Sequence, residues 1–248
     1  MSENVTAIVL AAGAGTRMKS SQAKVLHAIA GRSMIEHALV AVAGAGVART
    51  IAVVGHDREQ VEAAVSAHDP AVTLAVQEQR LGTGDAVRAA LDSLDDIPDG
   101  PVLISYADVP LLSAQTLAAA HRRPPGRRPG SHDLDRRLDE PFGYGRILRD
   151  EAGAVTAIRE HKDATEAERQ IREVNSGILV VDGAFLARAV GQLSPQNAQG
   201  ELYLTDIIGQ AVDEGLPVGA HVLEDVWQTE GVNDRAQPPA SAARSTVG

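Results

Sequence analysis

Residues 5–18 read VTAIVLAAGAGTRM. Val5–Leu10 is a short apolar run rich in β-branched side chains, the composition of a strand buried on both faces. Ala11–Met18 follows at once, made largely of small residues that let a backbone approach a ligand closely. A strand that opens straight into such a turn begins a βα unit, and the rest of the first half repeats the rhythm. Ser33-Met34-Ile35-Glu36 is a capping box, with a helix behind it to about Ala45 and Gly44 and Gly46 as stop signals. Thr50–Val54 reads as a strand, Asp57–Ala67 as a helix with Val61, Ala64 and Val65 on one face, and Val72–Val76 as a strand. Gly84–Leu94 reads as a helix, Pro101–Tyr106 as a strand, and Ser113 as the cap of a helix ending near His121. This alternation with short connections predicts an α/β, doubly wound, parallel sheet. Ligands of such sheets bind outside the carboxyl ends of the strands, which directs attention to the loops after Leu10, Val76 and Tyr106.

The second half is less regular. Gly145–Arg149 and Ala154–Arg159 flank Asp150-Glu151-Ala152-Gly153, a hairpin signal. Glu173–Val181 reads as a strand, Ala184–Leu193 and Glu201–Asp213 as helices, and Pro217–Leu223 as a last strand. His121–Arg137, HRRPPGRRPGSHDLDRR, departs from this pattern, with six Arg, three Pro and two Gly in seventeen residues. Its bland reading is an exposed basic loop. The tail from Ala236 to Gly248 has a composition that predicts disorder.

The chain has 248 residues, enough for one large domain, and a formal net charge of −10. An acidic protein lacks the charge with which nucleic-acid binders neutralise phosphates. There is no cysteine, which excludes disulfides, thiol nucleophiles and Cys-based metal sites. No apolar run reaches the ~18–20 residues of a membrane helix, and the first residues lack the basic start of a secretion signal. The expectation is a cytoplasmic protein bound to neither membrane nor nucleic acid. The eight histidines show no metal-binding spacing, and no G-x-S-x-G elbow is present.

Three turns carry candidate chemistry. Successive N–H groups in Ala11–Met18 make an anion-binding concavity, and Arg17 and Lys24 add two cations suited to a triphosphate. Taken alone, the turn reads equally as a tight βα connection with two surface cations. Tyr106-Ala107-Asp108-Val109-Pro110 puts a carboxylate at the end of a central strand, a position suited to Mg²⁺ or to capping a turn. Gln77-Glu78-Gln79-Arg80-Leu81-Gly82-Thr83-Gly84 offers a Gln amide to a nucleobase edge, or Thr83 as a helix N-cap. Glu160-His161-Lys162-Asp163, Asn175-Ser176-Gly177 and Glu230-Gly231-Val232-Asn233 could bind sugar hydroxyls or be solvated turns.

Together these segments resemble a known family. LAAGAGTRM, Lys24-Val25-Leu26-His27, LGTGDA, YADVPLL, FGYGRI, EHKDAT, EVNSGIL, QGELYLTDII and EGVNDR occur in that order. The chain resembles the N-terminal uridylyltransferase domain of the bifunctional bacterial N-acetylglucosamine-1-phosphate uridylyltransferase/glucosamine-1-phosphate N-acetyltransferases over Met1–His121 and Leu138–Arg235. The resemblance implies a Rossmann-like, mixed, mostly parallel sheet of the nucleotide-diphospho-sugar transferase type. It implies transfer of UMP from UTP to N-acetylglucosamine 1-phosphate, with Mg²⁺, in cell-wall precursor synthesis. By matching motif, Leu10, Ala11, Ala12, Gly13, Lys24, Gln77, Gly82 and Thr83 would bind the nucleotide, with Arg17 and Lys24 catalytic on its phosphates. Tyr106, Ala107, Asp108, Gly145, Glu160, Asn175 and Asn233 would bind substrate, and Asp108 and Asn233 the metal.

The sequence departs from the family in three places. The family's left-handed β-helix does not follow, so neither acetyl transfer nor the family trimer is expected. His121–Arg137 stands where the family has an apolar strand of the central sheet, and three prolines are incompatible with that strand. This block, and the tail after Arg235, resemble segments read in a shifted frame of a GC-rich gene. Ala107 and Ala23 replace the family's usual Gly and Pro. An inactive truncated remnant and a nucleotidyltransferase for a different sugar phosphate are the alternative readings.

Overall fold

A computed structural model describes residues 4–13, 22–55, 58–122, 131–139, 141–223 and 225–231. The first half holds β1 (Thr6–Leu10), β2 (Ala28–Ile29), β3 (Arg32–Ser33), α1 (Met34–Gly44), β4 (Arg49–Val54), α2 (Arg58–His68) and β5 (Thr73–Val76). It continues with α3 (Thr83–Asp92), β6 (Pro101–Tyr106) and α4 (Ala114–His121). The second half holds β7 (Ser131–Arg137), β8 (Arg146–Arg149), β9 (Val155–Arg159) and α5 (Glu166–Arg169). After these come β10 (Glu173–Asp182), α6 (Gly183–Val190), α7 (Asp206–Asp213) and β11 (Val218–Val222).

The main sheet runs β11-β7-β10-β6-β1-β4-β5, with the β8–β9 hairpin joined to β10. β6, β1, β4 and β5 are mutually parallel, and β10 runs antiparallel to β6 and to β7. The sheet is therefore mixed and mostly parallel, as the sequence implies. Side chains alternate between its faces, as the strand period of two requires. Ala7 and Val9 of β1 join one core with α1, α2 and α4, while Ile8 and Leu10 join the other with α3, α6 and α7. Helices thus cover both faces, which explains why β1 and β6 are continuous apolar runs.

Local signals read from the sequence are met in the backbone. Ser33 and Glu36 form the reciprocal capping box of α1, and the Ser113 hydroxyl caps α4. Ala23 adopts φ −55° and ψ 140°, a conformation close to the one a proline would impose.

Three expectations are corrected. The helix expected from Glu201 begins only at Asp206. Upstream of it, the Leu202 N–H donates to Leu81 O and Leu202 O accepts from the Gly84 N–H, so that backbone is bound across to the Leu81–Gly84 turn. Thr83 is not an N-cap; Gly82 occupies that position without a side-chain cap, and the Thr83 hydroxyl accepts from the Leu204 N–H at 3.1 Å. The Arg- and Pro-rich stretch contains a strand after all. β7 pairs with β10 on one side and β11 on the other. Its seven residues hold no proline, because Pro124, Pro125 and Pro129 all precede it. Residues 123–130 and the tail from Ala236 lie outside the described residues.

Candidate active site

Strand ends set the height of the candidate site. The N–H groups of Ala11, Gln77 and Ala107 donate to the carbonyls of Val53, Val54 and Leu10, carrying each ladder one step beyond its strand. The loops after β1, β5 and β6 therefore leave the sheet at one edge. Between them opens a cleft of about 310 Å³ lined by Leu10–Gly13, Lys24, Gln77, Gly82, Thr83, Tyr106 and Asp108. These residues, picked from separate motifs, share one cavity.

Lys24 and Asp108 meet across it. The Lys24 Nζ donates to Asp108 Oδ2 at 2.5 Å, with side chains 10% and 28% exposed. Among the described residues, nothing lies within 4 Å of a Cβ built on Gly13. The backbone of this turn can therefore be approached closely by a bulky anion.

The Gln77 turn is held from behind. Gln77 Nε2 donates to Gly82 O at 3.0 Å and to Asp85 Oδ2 at 3.0 Å. Arg88 Nη2 donates to the other oxygen, Asp85 Oδ1. Gln77 and Asp85 are both buried. Gly82 has φ 111°, and a Cβ on it would lie 2.6 Å from Leu202 O, so only glycine fits.

A second group lies beyond Tyr106. Gly177 has φ 88°, and a Cβ there would lie 2.7 Å from the Tyr106 ring, so the ring rests directly on the Asn175–Gly177 turn. Asn175 Oδ1 accepts from the Gly177 N–H at 2.7 Å, and the Asn175 N–H donates to Gly145 O at 2.9 Å. A Cβ on Gly145 would lie 3.5 Å from Glu160 Oε1, so Gly145, Glu160 and Asn175 come together. Burial pushes the Glu160 carboxyl up, partly offset by the Thr205 hydroxyl, which donates to Oε1 at 2.9 Å. Tyr203 donates its hydroxyl to Asp163 Oδ2 at 3.0 Å, and burial pushes that phenol up to about 12.

Ala107 is fully buried and does not line the cleft; its contribution is the backbone bond to Leu10. Arg17 and Asn233 lie outside the described residues. Arg80 and Glu201 line the cleft without having been singled out in the sequence, although each stands inside a motif quoted above. Among the described residues no three His, Asp or Glu side chains gather as a metal site. The Asp108 carboxylate, shared with the Lys24 ammonium, would offer a hard cation such as Mg²⁺ one protein ligand, with water and substrate phosphates completing the shell.

Comparison with known proteins gives the family and the fold. Residues 7–173 match the MobA-like NTP transferase domain. The chain is 50% identical to the "Bifunctional protein GlmU" of Corynebacterium aurimucosum, covering 96% of this chain and 50% of that one. It is 48% identical to the Cutibacterium acnes protein of the same name, covering 93% and 56%. The chain thus spans about half the length of the curated relatives it matches, as expected from its resemblance to one domain of a bifunctional enzyme. Among solved structures, an inositol-1-phosphate CTP transferase from T. maritima superposes with a TM-score of 0.71 at 17% identity, covering 96% of this chain and 93% of that one. A UDP-glucose pyrophosphorylase complexed with UDP-glucose gives 0.68 at 14%, covering 87% and 89%. At these identities the likeness is one of fold.

Proposed function

We propose, from the premise that the chain belongs to the MobA-like NTP transferase domain family, that it transfers UMP from UTP to N-acetylglucosamine 1-phosphate. The products would be UDP-N-acetylglucosamine, a cell-wall precursor, and pyrophosphate. The observation that carries this reading is the single cleft uniting the Leu10–Gly13 turn, the Lys24–Asp108 pair and the Gln77–Thr83 turn. The choice of uridine and of an amino sugar is supported by motif resemblance and by relatives about 50% identical.

An oxygen of the sugar phosphate attacks the α-phosphorus of UTP, and the bond to the pyrophosphate leaving group breaks. That oxygen is already ionised near neutral pH, so no general base is required. The chain has then to align the reactants and stabilise charge. The amides of the Leu10–Gly13 turn and the Lys24 ammonium would hold the phosphates, with Arg17 joining them by motif. Gln77, Gly82 and Thr83 would hold the base, and Gly145, Glu160 and Asn175 the sugar. Mg²⁺, when bound, would neutralise phosphate charge from a site at Asp108 and, by motif, Asn233.

The test is pyrophosphate release by the purified chain with UTP, N-acetylglucosamine 1-phosphate and Mg²⁺, beside Asp108→Ala. Release that falls on the order of a hundredfold in the variant supports the proposal. A folded wild-type chain that releases no pyrophosphate overturns it.

A further inference from the structure

The two ends of a glutamine amide have nearly the same shape. Rotated one way the amide presents an acceptor, rotated the other way a donor, so an untethered glutamine reads both kinds of base edge. What lies behind Gln77 removes that freedom. Both Nε2 hydrogens are committed, one to Gly82 O and one to Asp85 Oδ2. Each of those partners only accepts. Turning the amide over would set Oε1 against two acceptor oxygens, one of them a carboxylate, inside a buried pocket where unpaired polar groups are costly.

The partners themselves are fixed. The Gly82 backbone is confined by its φ of 111° and by the contact with Leu202. Asp85 lies in the first turn of α3, where a carboxylate is favoured, and its second oxygen is held by Arg88. Among the described residues, no hydrogen bond is made to Gln77 Oε1. A ligand in the cleft therefore meets Gln77 as an acceptor.

We propose that Asp85 is a positioning residue for base selection: it locks the Gln77 amide so that the cleft accepts a ring N–H, as uracil offers, and rejects the ring lone pair that cytosine presents at the same place. The inference rests on the reading of the cleft as a UTP site. Arg88 supports it from outside the cleft by holding the carboxylate in place.

Asp85→Asn tests this with little change of shape. The new amide can donate to Gln77 as well as accept, so the rotated glutamine regains a partner and the penalty against cytosine falls. The UTP-to-CTP ratio of kcat/KM should drop on the order of tenfold, the scale expected when a rejecting polar contact is removed. The ratio of UTP and CTP dissociation constants, measured without sugar phosphate, should move the same way, with the melting temperature near the wild-type value. Asp85→Ala, which removes the carboxylate outright, should shift both ratios in the same direction. If both variants lower UTP and CTP use equally and leave the ratios unchanged, Asp85 is merely structural and the inference is overturned, while the uridylyltransferase reading stands. If the wild-type chain itself binds CTP as well as UTP, the UTP reading fails first and the inference with it.

Discussion

At the scale of single residues, the Lys24–Asp108 pair illustrates how one contact serves two ends unequally. Lys24 is 10% exposed and Asp108 28%, so the ammonium sits in the drier position. Removing either group should abolish most of the proposed activity, but the costs in stability should differ. Asp108→Ala takes one charged partner from an ammonium in a largely dry site that keeps a further contact, a loss that costs about 2–3 kcal/mol. Lys24→Met leaves a carboxylate that water can reach and adds apolar surface, so the loss should be about 1 kcal/mol or less. Urea denaturation of the two variants checks the order. Equal losses, or a larger loss in Lys24→Met, would contradict the assignment of Lys24 as the buried partner.

Elements decide which glycines serve the fold and which serve a ligand. Gly82 opens α3 with φ 111° and would press a Cβ against Leu202 O. Gly82→Ala should destabilise by about 2–4 kcal/mol, combining backbone strain with a backbone clash. Among the described residues nothing crowds a Cβ on Gly13, so Gly13→Ala should leave the melting temperature within about 2 °C of wild type. If phosphate lies against that turn, the same methyl group should raise the KM for UTP about tenfold. Melting curves and UTP kinetics on both variants separate the two roles. Both glycines were visible in the sequence, but their difference was not, because it depends on Leu202 arriving from far along the chain. The same crossing explains the late start of α7: residues before Asp206 satisfy their backbone against the Leu81–Gly84 turn rather than within a helix. β7 escaped sequence reading for another reason. Ser131–Arg137 carries no apolar alternation, and only its pairing with β10 and β11 identifies it as a strand.

At the scale of the whole molecule, the strand–helix rhythm of residues 5–121 was legible because each buried strand is a compact apolar run and α1 and α4 carry serine caps. The cleft was legible as three loops, since parallel strands must deliver their carboxyl ends to one edge. The acidic group of the second half was not. Asp206, Asp163 and Glu201 act on Glu160 only because the β9 end and the residues around α7 are folded together. Burial pushes both the Glu160 and Asp206 carboxyls up. Two capping carboxylates move the other way: Glu36 is lowered chiefly by the Ser33 hydroxyl, and Glu168 by the Thr165 N–H. A raised carboxyl stabilises the fold fully below its unfolded pKa, and that contribution is lost as pH rises through the folded value. A lowered carboxyl stabilises above its unfolded pKa, and that contribution is lost as pH falls through the folded value. Stability should therefore peak in mildly acidic solution, with capping lost on the acid side and Glu160 and Asp206 resisting ionisation on the other. Glu160→Gln keeps the shape and removes one of those ionisations. Its melting temperature should exceed that of the wild type at about pH 8, with the gap closing toward about pH 5. If Glu160 holds the amino sugar, the same variant should raise the KM for N-acetylglucosamine 1-phosphate about tenfold while leaving the KM for UTP unchanged. A melting difference independent of pH would show that Glu160 is not the group resisting ionisation. Unchanged sugar-phosphate kinetics would remove it from the sugar subsite.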